Sequence, residues 1–271
     1  MPTLVQDILR VGDGDRSYQS KKPQNGFEQE ALAQLNERCV HELFESEVDQ
    51  NPETVALVCG DQQLTYRELN ERANQLAHFL IRFGVGPNSL VGLCLRRTPE
   101  MIIGILGILK AGGAYVPMDP TSSTQRLGYM IEDANIFVLL TQSALLKKLP
   151  RHNGPRLSLD VNWDIIAKER KTNPRPRATP KNLAYSIYTS VGLQETRGVR
   201  ISHRGLLNYL SWGIEAFQVA KGSMPSLDSS IPFDLAITRA LSLLMFGRSI
   251  YLGADSTALP EMKARAQYSV A

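Results

Sequence analysis

The chain has 271 residues, 43% hydrophobic and 21% charged, with a formal net charge of +3. This is the composition of an ordinary globular protein, and the length allows one large domain or two small ones. The balance is too close to neutrality to argue for a nucleic-acid partner. The longest apolar run, Met101 to Leu109, falls well short of the roughly 20 residues that cross a bilayer, so no membrane partner is expected. Cys39, Cys59 and Cys94 are scattered, odd in number and without metal-ligand spacing. They read as reduced thiols, with no metal site expected, and no apolar targeting segment follows Met1, so the expected location is cytoplasmic.

Residues 1–26 are polar and punctuated by Gly12, Gly14, Pro23 and Gly26, the pattern of a flexible linker carrying a short helix at most. From Phe27 apolar residues recur at helical spacing through Leu32, Leu35, Val40, Leu43, Phe44 and Val48, with a break near Cys39, until Pro52. His41 has no partner motif nearby and reads as a helix-surface or capping histidine. Val55 to Cys59 and Gln62 to Thr65 are two strands of a hairpin about Gly60-Asp61. Thr65 with Glu68 makes a capping box, and Leu69, Ala73, Leu76, Ala77 and Leu80 form the apolar stripe of the helix it opens. Gly84 is its natural stop.

Leu90 to Leu95 is a continuous apolar run, as for a strand covered on both faces. Thr98-Pro99-Glu100 opens a helix, Met101 to Lys110, that is apolar nearly all round and so must be buried. Gly112-Gly113 turns it into the next strand. A short helix (Arg126 to Ala134), a strand (Ile136 to Thr141) and another short helix (Ser143 to Leu149) follow. This alternation predicts an α/β architecture of layered helices and mostly parallel sheets. Residues 168–181 are basic and broken by prolines. They lack interleaved aromatics, so a solvated connector is favoured over a nucleic-acid element built on Arg175 and Arg177.

Leu183 to Tyr188 is rich in β-formers and enters a polar stretch, Thr189 to Gly198, that reads as a loop. Val199 to Ile201 is a short strand, Ser202 an N-cap, and Leu206, Leu207, Leu210, Ile214 and Phe217 mark the helix that follows. Residues 188–199, Tyr-Thr-Ser-Val-Gly-Leu-Gln-Glu-Thr-Arg-Gly-Val, resemble the phosphate-binding signature of adenylate-forming enzymes, Tyr-Thr-Ser-Gly-Ser-Thr-Gly-x-Pro-Lys-Gly-Val. Leu64-Thr65-Tyr66-Arg67-Glu68-Leu69, Val40-His41-Glu42-Leu43-Phe44 and Leu109-Lys110-Ala111-Gly112-Gly113-Ala114-Tyr115-Val116-Pro117-Met118-Asp119-Pro120 resemble further words of that superfamily, specifically the adenylation domains of nonribosomal peptide synthetases.

The resemblance implies a partial adenylation domain over about residues 27–255, an incomplete N-terminal subdomain, with a tail at 256–271. It implies ATP and Mg2+ as cofactors, an amino acid as substrate, and Thr189, Ser190, Gly192, Arg197 and Gly198 as the phosphate-binding positions. Phe233-Asp234 resembles the segment whose Asp faces the substrate's α-ammonium, with Leu235 and Thr238 lining the same pocket. Nothing up to Ala271 matches the family's Asn-x-Tyr-Gly-Pro-Thr-Glu segment or its catalytic lysine. The missing C-terminal half of a synthetase is therefore an implied partner. Within the signature, Val191 and Gln194 replace glycines, hydroxyls are absent at Gly192 and Leu193, and Glu195 adds negative charge. A β-branched residue resists the backbone angles a glycine supplies. A carboxylate about 4 Å from a phosphate is repelled by roughly 1 kcal/mol even in water. The expectation is a poor triphosphate site and no adenylation by this chain alone.

Overall fold

A computed structural model describes residues 37–191, 195–216 and 233–253. The expected linker at 1–26, the start of the helical pattern at Phe27 and the tail at 256–271 lie outside the described residues. The first helix, α1 (Val40–Gln50), begins where the sequence pattern broke. Cys39 is its N-cap, and the Cys39 N–H donates to Glu42 Oε2 at 2.5 Å. Strands β1 (Val55–Cys59) and β2 (Gln62–Thr65) form the expected hairpin, with Cys59 opposite Gln62 across the turn.

Helix α2 (Tyr66–Arg82) opens on the capping box read in the sequence. The Glu68 N–H donates to Thr65 Oγ1 at 3.2 Å while the Thr65 N–H donates to Glu68 Oε2 at 2.8 Å. Its stripe residues Leu69, Ala73, Leu76 and Ala77 are fully buried. Strand β3 (Leu90–Leu93), helix α3 (Pro99–Lys110) and strand β4 (Ala114–Pro117) follow as expected. Helix α3 is buried from Met101 to Lys110, packed against α2 on one side and against β3 and β4 on the other. Its Gly107 permits that approach: a Cβ there would sit 2.8 Å from Leu76 Cδ2. Gly112 turns from α3 into β4 at φ +85°, a conformation glycine adopts without strain.

Helix α4 (Thr124–Asp133) and strand β5 (Val138–Thr141) match the expected elements. The helix expected at Ser143 to Leu149 is only a 3₁₀ turn, Ser143–Leu145. Strand β6 (Arg156–Ser158) and the single turn α5 (Trp163–Ile166) have no counterpart in the sequence reading, being too short to display a period. Strands β7 (Leu183–Val191) and β8 (Glu195–Ser202), helices α6 (His203–Ala216) and α7 (Phe233–Met245), and the short β9 (Ile250–Tyr251) complete the described chain.

Two sheets result. The larger has the order β6-β5-β3-β4-β7-β8, parallel except where β8 returns antiparallel to β7. The smaller has the order β2-β1-β9, with β9 parallel to β1. One apolar cluster joins α1, α2, α3, α6 and α7 to both sheets, and a second packs α4 against the opposite side of the larger one. The α/β layering expected from the sequence is the architecture observed.

The basic connector is solvated, as expected, yet fastened along α2. Gln75 Nε2 donates to Ala167 O at 2.5 Å, and Asn74 Nδ2 donates to Lys171 O at 2.6 Å and to Asn173 Oδ1 at 2.8 Å. Lys171 also pairs with Glu71 at 2.7 Å. Asn173 reaches the buried Lys110, whose ammonium is paired with Glu45. Burial pulls the Lys110 pKa below the usual lysine range, against the opposing pull of Glu45.

Candidate functional site

The stretch that resembles a phosphate-binding signature is where sequence and structure differ most. A loop was expected from Thr189 to Gly198, and the structure extends both strands into it. The β7–β8 ladder runs on through Tyr188↔Gly198, Thr189↔Arg197, Ser190↔Thr196 and Val191↔Glu195, leaving residues 192–194 between its ends. The physical cause lies in the substitutions. Val191 and Thr196 are β-branched and favour extended backbone, and the glycines that would release the chain from pairing are gone. Thr189, Ser190 and Arg197 are therefore ladder residues, and Gly192 lies outside the described residues. Backbone groups that a phosphate loop leaves free are spent here on cross-strand pairing.

Gly198 has a definite local task. A Cβ at this position would stand 3.0 Å from Tyr188 Cζ and 3.1 Å from its hydroxyl, so the tyrosine ring already fills the space over the glycine. Tyr188 is itself braced. Its hydroxyl donates to Asp133 Oδ2 at 2.6 Å, Arg126 Nη2 donates to its carbonyl at 3.2 Å, and the Tyr129 ring meets it edge-on at 6.3 Å. Burial, reinforced by Asp133, pushes the Tyr188 pKa above the usual phenol range. Arg126, Tyr129 and Asp133 all come from α4 and were not singled out in the sequence, because no local pattern ties them to a tyrosine on β7.

At the far end of β8, Ser202 caps α6 as expected, accepting from the Gly205 N–H at 3.2 Å. The next residue, His203, is fully buried and its Nδ1 accepts from the Val40 N–H at 3.2 Å. His41 is not the helix-surface histidine expected. It is 3% exposed and lies edge-on to His203 at 5.7 Å between ring centroids. Its partner arrives from the start of α6, far along the chain, which local spacing could not reveal. Burial lowers the pKa of both rings, that of His203 to about 4.

Of the expected substrate positions, Asp234 stands in the first turn of α7, just after Phe233, whose ring has the Arg97 guanidinium 6.0 Å from its centroid. Leu235 is exposed and Thr238 buried, with Ser242 Oγ donating to the Thr238 carbonyl at 3.0 Å. Helix α7 packs on α6 and α1, so α6 links the expected substrate positions to the base of the hairpin. An open cleft of ≈ 610 Å³ lies elsewhere, at the start of β3 and β7, lined by Asn88, Ser89, Leu90, Phe137, Lys181 and Arg200. Ligands of open α/β sheets bind beyond the carboxyl ends of the strands, so this cleft is not the site. The expected cradle is a paired hairpin, and the room above Gly198 is taken by Tyr188.

The layered sheets have the fold of adenylate-forming proteins, and the family model "AMP-binding enzyme" matches residues 44–268. The chain belongs to this family. Among its relatives, one of the linear gramicidin synthase proteins of Brevibacillus parabrevis is 43% identical over 234 residues, 86% of this chain and 5% of that protein. Tyrocidine synthase 3 of the same organism is 38% identical, over 94% of this chain and 4% of its own length. The AMPPNP-bound structure of the nonribosomal peptide synthetase FmoA3 superposes with a TM-score of 0.72 at 25% identity, covering 92% of this chain and 24% of the other. VinN, in complex with 3-methylaspartate, shares the fold with a TM-score of 0.73 at 19% identity, over 83% of this chain and 64% of its own. The chain thus spans a small fraction of its synthetase relatives. Among the described residues no helix is long and apolar enough to cross a membrane.

Proposed function

We propose that the chain is the N-terminal portion of an amino-acid-activating adenylation domain, and that by itself it does not carry out the reaction. In the completed domain an amino acid carboxylate oxygen attacks the α-phosphorus of ATP, the α–β phosphoanhydride bond breaks, and pyrophosphate leaves. Such a displacement needs the triphosphate held in line and its charge neutralised. Asp234 is the proposed partner of the substrate's α-ammonium, a charge-assisted contact at the head of α7. Leu235 and Thr238 line the same pocket, and Arg197 stands where the family's phosphate-facing lysine does.

The observation that carries the proposed inactivity is the ladder reaching Val191↔Glu195. It takes up backbone that would wrap the phosphates, and Glu195 is the last paired residue on its β8 side. The test is amino-acid-dependent exchange of labelled pyrophosphate into ATP, with the full amino acid set. The chain alone is expected to give only background, and exchange above background with any amino acid would refute this reading.

A second reading, one half of a split synthetase completed by a partner chain, is favoured by the sheet edge. β8 is the outermost strand of the larger sheet, with Val199 48% exposed on it, and long edge strands of this kind are normally covered. Supplying the second half of a related domain in trans, with Val191→Gly and Gln194→Gly in this chain, is expected to raise ATP affinity. Equal affinity with and without the two glycines would count against the account of the hairpin.

A further inference from the structure

The N-terminus of α1 and the start of α6 meet at a buried cluster that the adenylation chemistry does not use. Cys39, His41 and His203 are 2%, 3% and 0% exposed, and one ligand atom from each lies within 4.8 Å of the other two. The cluster contains no carboxylate, and its two imidazoles come from helices that start far apart in the sequence. Among the described residues His41 Nδ1 has no hydrogen-bond partner, and neither does His203 Nε2. An unpartnered polar atom in so dry a place costs about 1–3 kcal/mol and calls for an explanation.

We propose that Cys39, His41 and His203 bind one zinc ion. The donor set, one thiolate and two imidazoles, is the kind zinc takes from protein, with a water in the fourth position. Ligand atoms around tetrahedral zinc, at bond lengths of about 2.0–2.3 Å, sit roughly 3.3–3.8 Å apart, so the three side chains draw in by about 1 Å as the ion enters. Because the Val40 N–H donates to His203 Nδ1, the proton of that neutral ring is on Nε2, and Nδ1 carries the lone pair a metal can use. Zinc would take this lone pair in place of the 3.2 Å hydrogen bond from the Val40 N–H, so the missing partner it supplies is that of His41 Nδ1 and not that of His203 Nε2. The proton balance is simple: the Cys39 thiol gives its proton to solvent as the sulfur–zinc bond forms, and both imidazoles stay neutral. The ion would fasten the start of α1 to the residue that follows the signature hairpin.

The test uses the full chain, freed of metal and titrated with Co2+ as a spectroscopic stand-in, then with Zn2+. The expected result is one Co2+ per chain, with a thiolate-to-cobalt charge-transfer band, displaced by stoichiometric Zn2+ and accompanied by release of one proton. Cys39→Ser should abolish the band. Serine is a favoured N-cap, so this variant is expected to keep the fold, and circular dichroism checks that it does. The combined Cys59→Ser and Cys94→Ser variant should keep the band unchanged. Zn2+ should raise the melting temperature of the parent chain and leave that of Cys39→Ser where it was. Failure to bind Co2+ stoichiometrically, a band that survives Cys39→Ser, or equal thermal shifts in parent and variant would each overturn the proposal.

Discussion

Substituting Gly107 by alanine tests whether α2 and α3 are in contact as closely as the structure requires. The new Cβ would lie 2.8 Å from Leu76 Cδ2, 2.9 Å from its Cγ and 3.1 Å from its Cβ. Carbon atoms rest at about 3.5–4.0 Å, and these are not only the far end of a side chain that could swing away. The helices must part, and overpacking of this kind costs about 1–3 kcal/mol. Against that stands the gain in helix propensity on replacing glycine by alanine, about 1 kcal/mol. The net expectation is a loss of about 1–2 kcal/mol, read as a lower urea midpoint at an unchanged slope. Gly128 in α4 supplies the control. Its Cβ would meet only Pro150 at 3.6 Å, an ordinary contact. Gly128→Ala should therefore stabilise by up to about 1 kcal/mol. Leu76→Ala alone opens a cavity costing about 2–5 kcal/mol, and the extra methyl of Gly107→Ala would partly refill it. The two changes should couple by about 1 kcal/mol or more instead of adding. If Gly107→Ala matched Gly128→Ala in stability, or if Gly107→Ala and Leu76→Ala were additive, the steric argument would fail.

Two further outcomes follow from buried and capping polar groups. Lys110→Met leaves Glu45 and Asn173 without their cation and should cost about 3 kcal/mol in urea unfolding, whereas Lys110→Met combined with Glu45→Gln should recover most of the loss, because two uncharged partners leave no stranded charge. Thr65→Ala removes the hydroxyl half of the α2 capping box and should cost about 1 kcal/mol at pH 7. Glu68 is held below the usual carboxylate range chiefly by the Thr65 backbone N–H and then by its hydroxyl. Its contribution is fully present above its ordinary range and lost as the pH falls through the lowered value. The difference between parent and Thr65→Ala should therefore shrink on acidification, and a difference that stayed constant from pH 7 to pH 3 would contradict this assignment.

Much of the framework was legible because its signals are local. The capping box at Thr65 and Glu68, the stripe from Leu69 to Leu80, the proline at the head of α3 and the glycine at 112 each act within a turn or two of the chain. What escaped was set by distance or brevity. Asn74 and Gln75 occupy polar places in the period of α2 yet are 0% and 5% exposed, because the connector returns to cover them and accept their hydrogen bonds. His41 looked solvent-facing for the same reason, as Val40 and His203 meet across 163 positions. The strand β6 is three residues long, too brief for any period to show.

At the candidate site the individual residues were legible and their consequence was not. Reading Val191 as a steric outlier in a glycine's place assumes that the loop keeps its shape and suffers. The structure resolves the conflict another way, since the chain abandons the loop conformation and pairs instead. Val191 then needs no strained backbone, because it sits in the ladder opposite Glu195, and on the proposed reading the cost falls on ligand binding. The same logic explains why Gly198 survives while the other glycines do not. Gly198 faces the Tyr188 ring at contact distance in the ladder itself, so it is needed whether or not a phosphate ever binds. A hairpin braced at Tyr188 by Asp133 and Arg126 and paired as far as Val191↔Glu195 is a stable structural element. Pairing as far as Val191 and Glu195 is what the proposed loss of phosphate binding rests on, since an anion nest needs a concave run of free N–H groups.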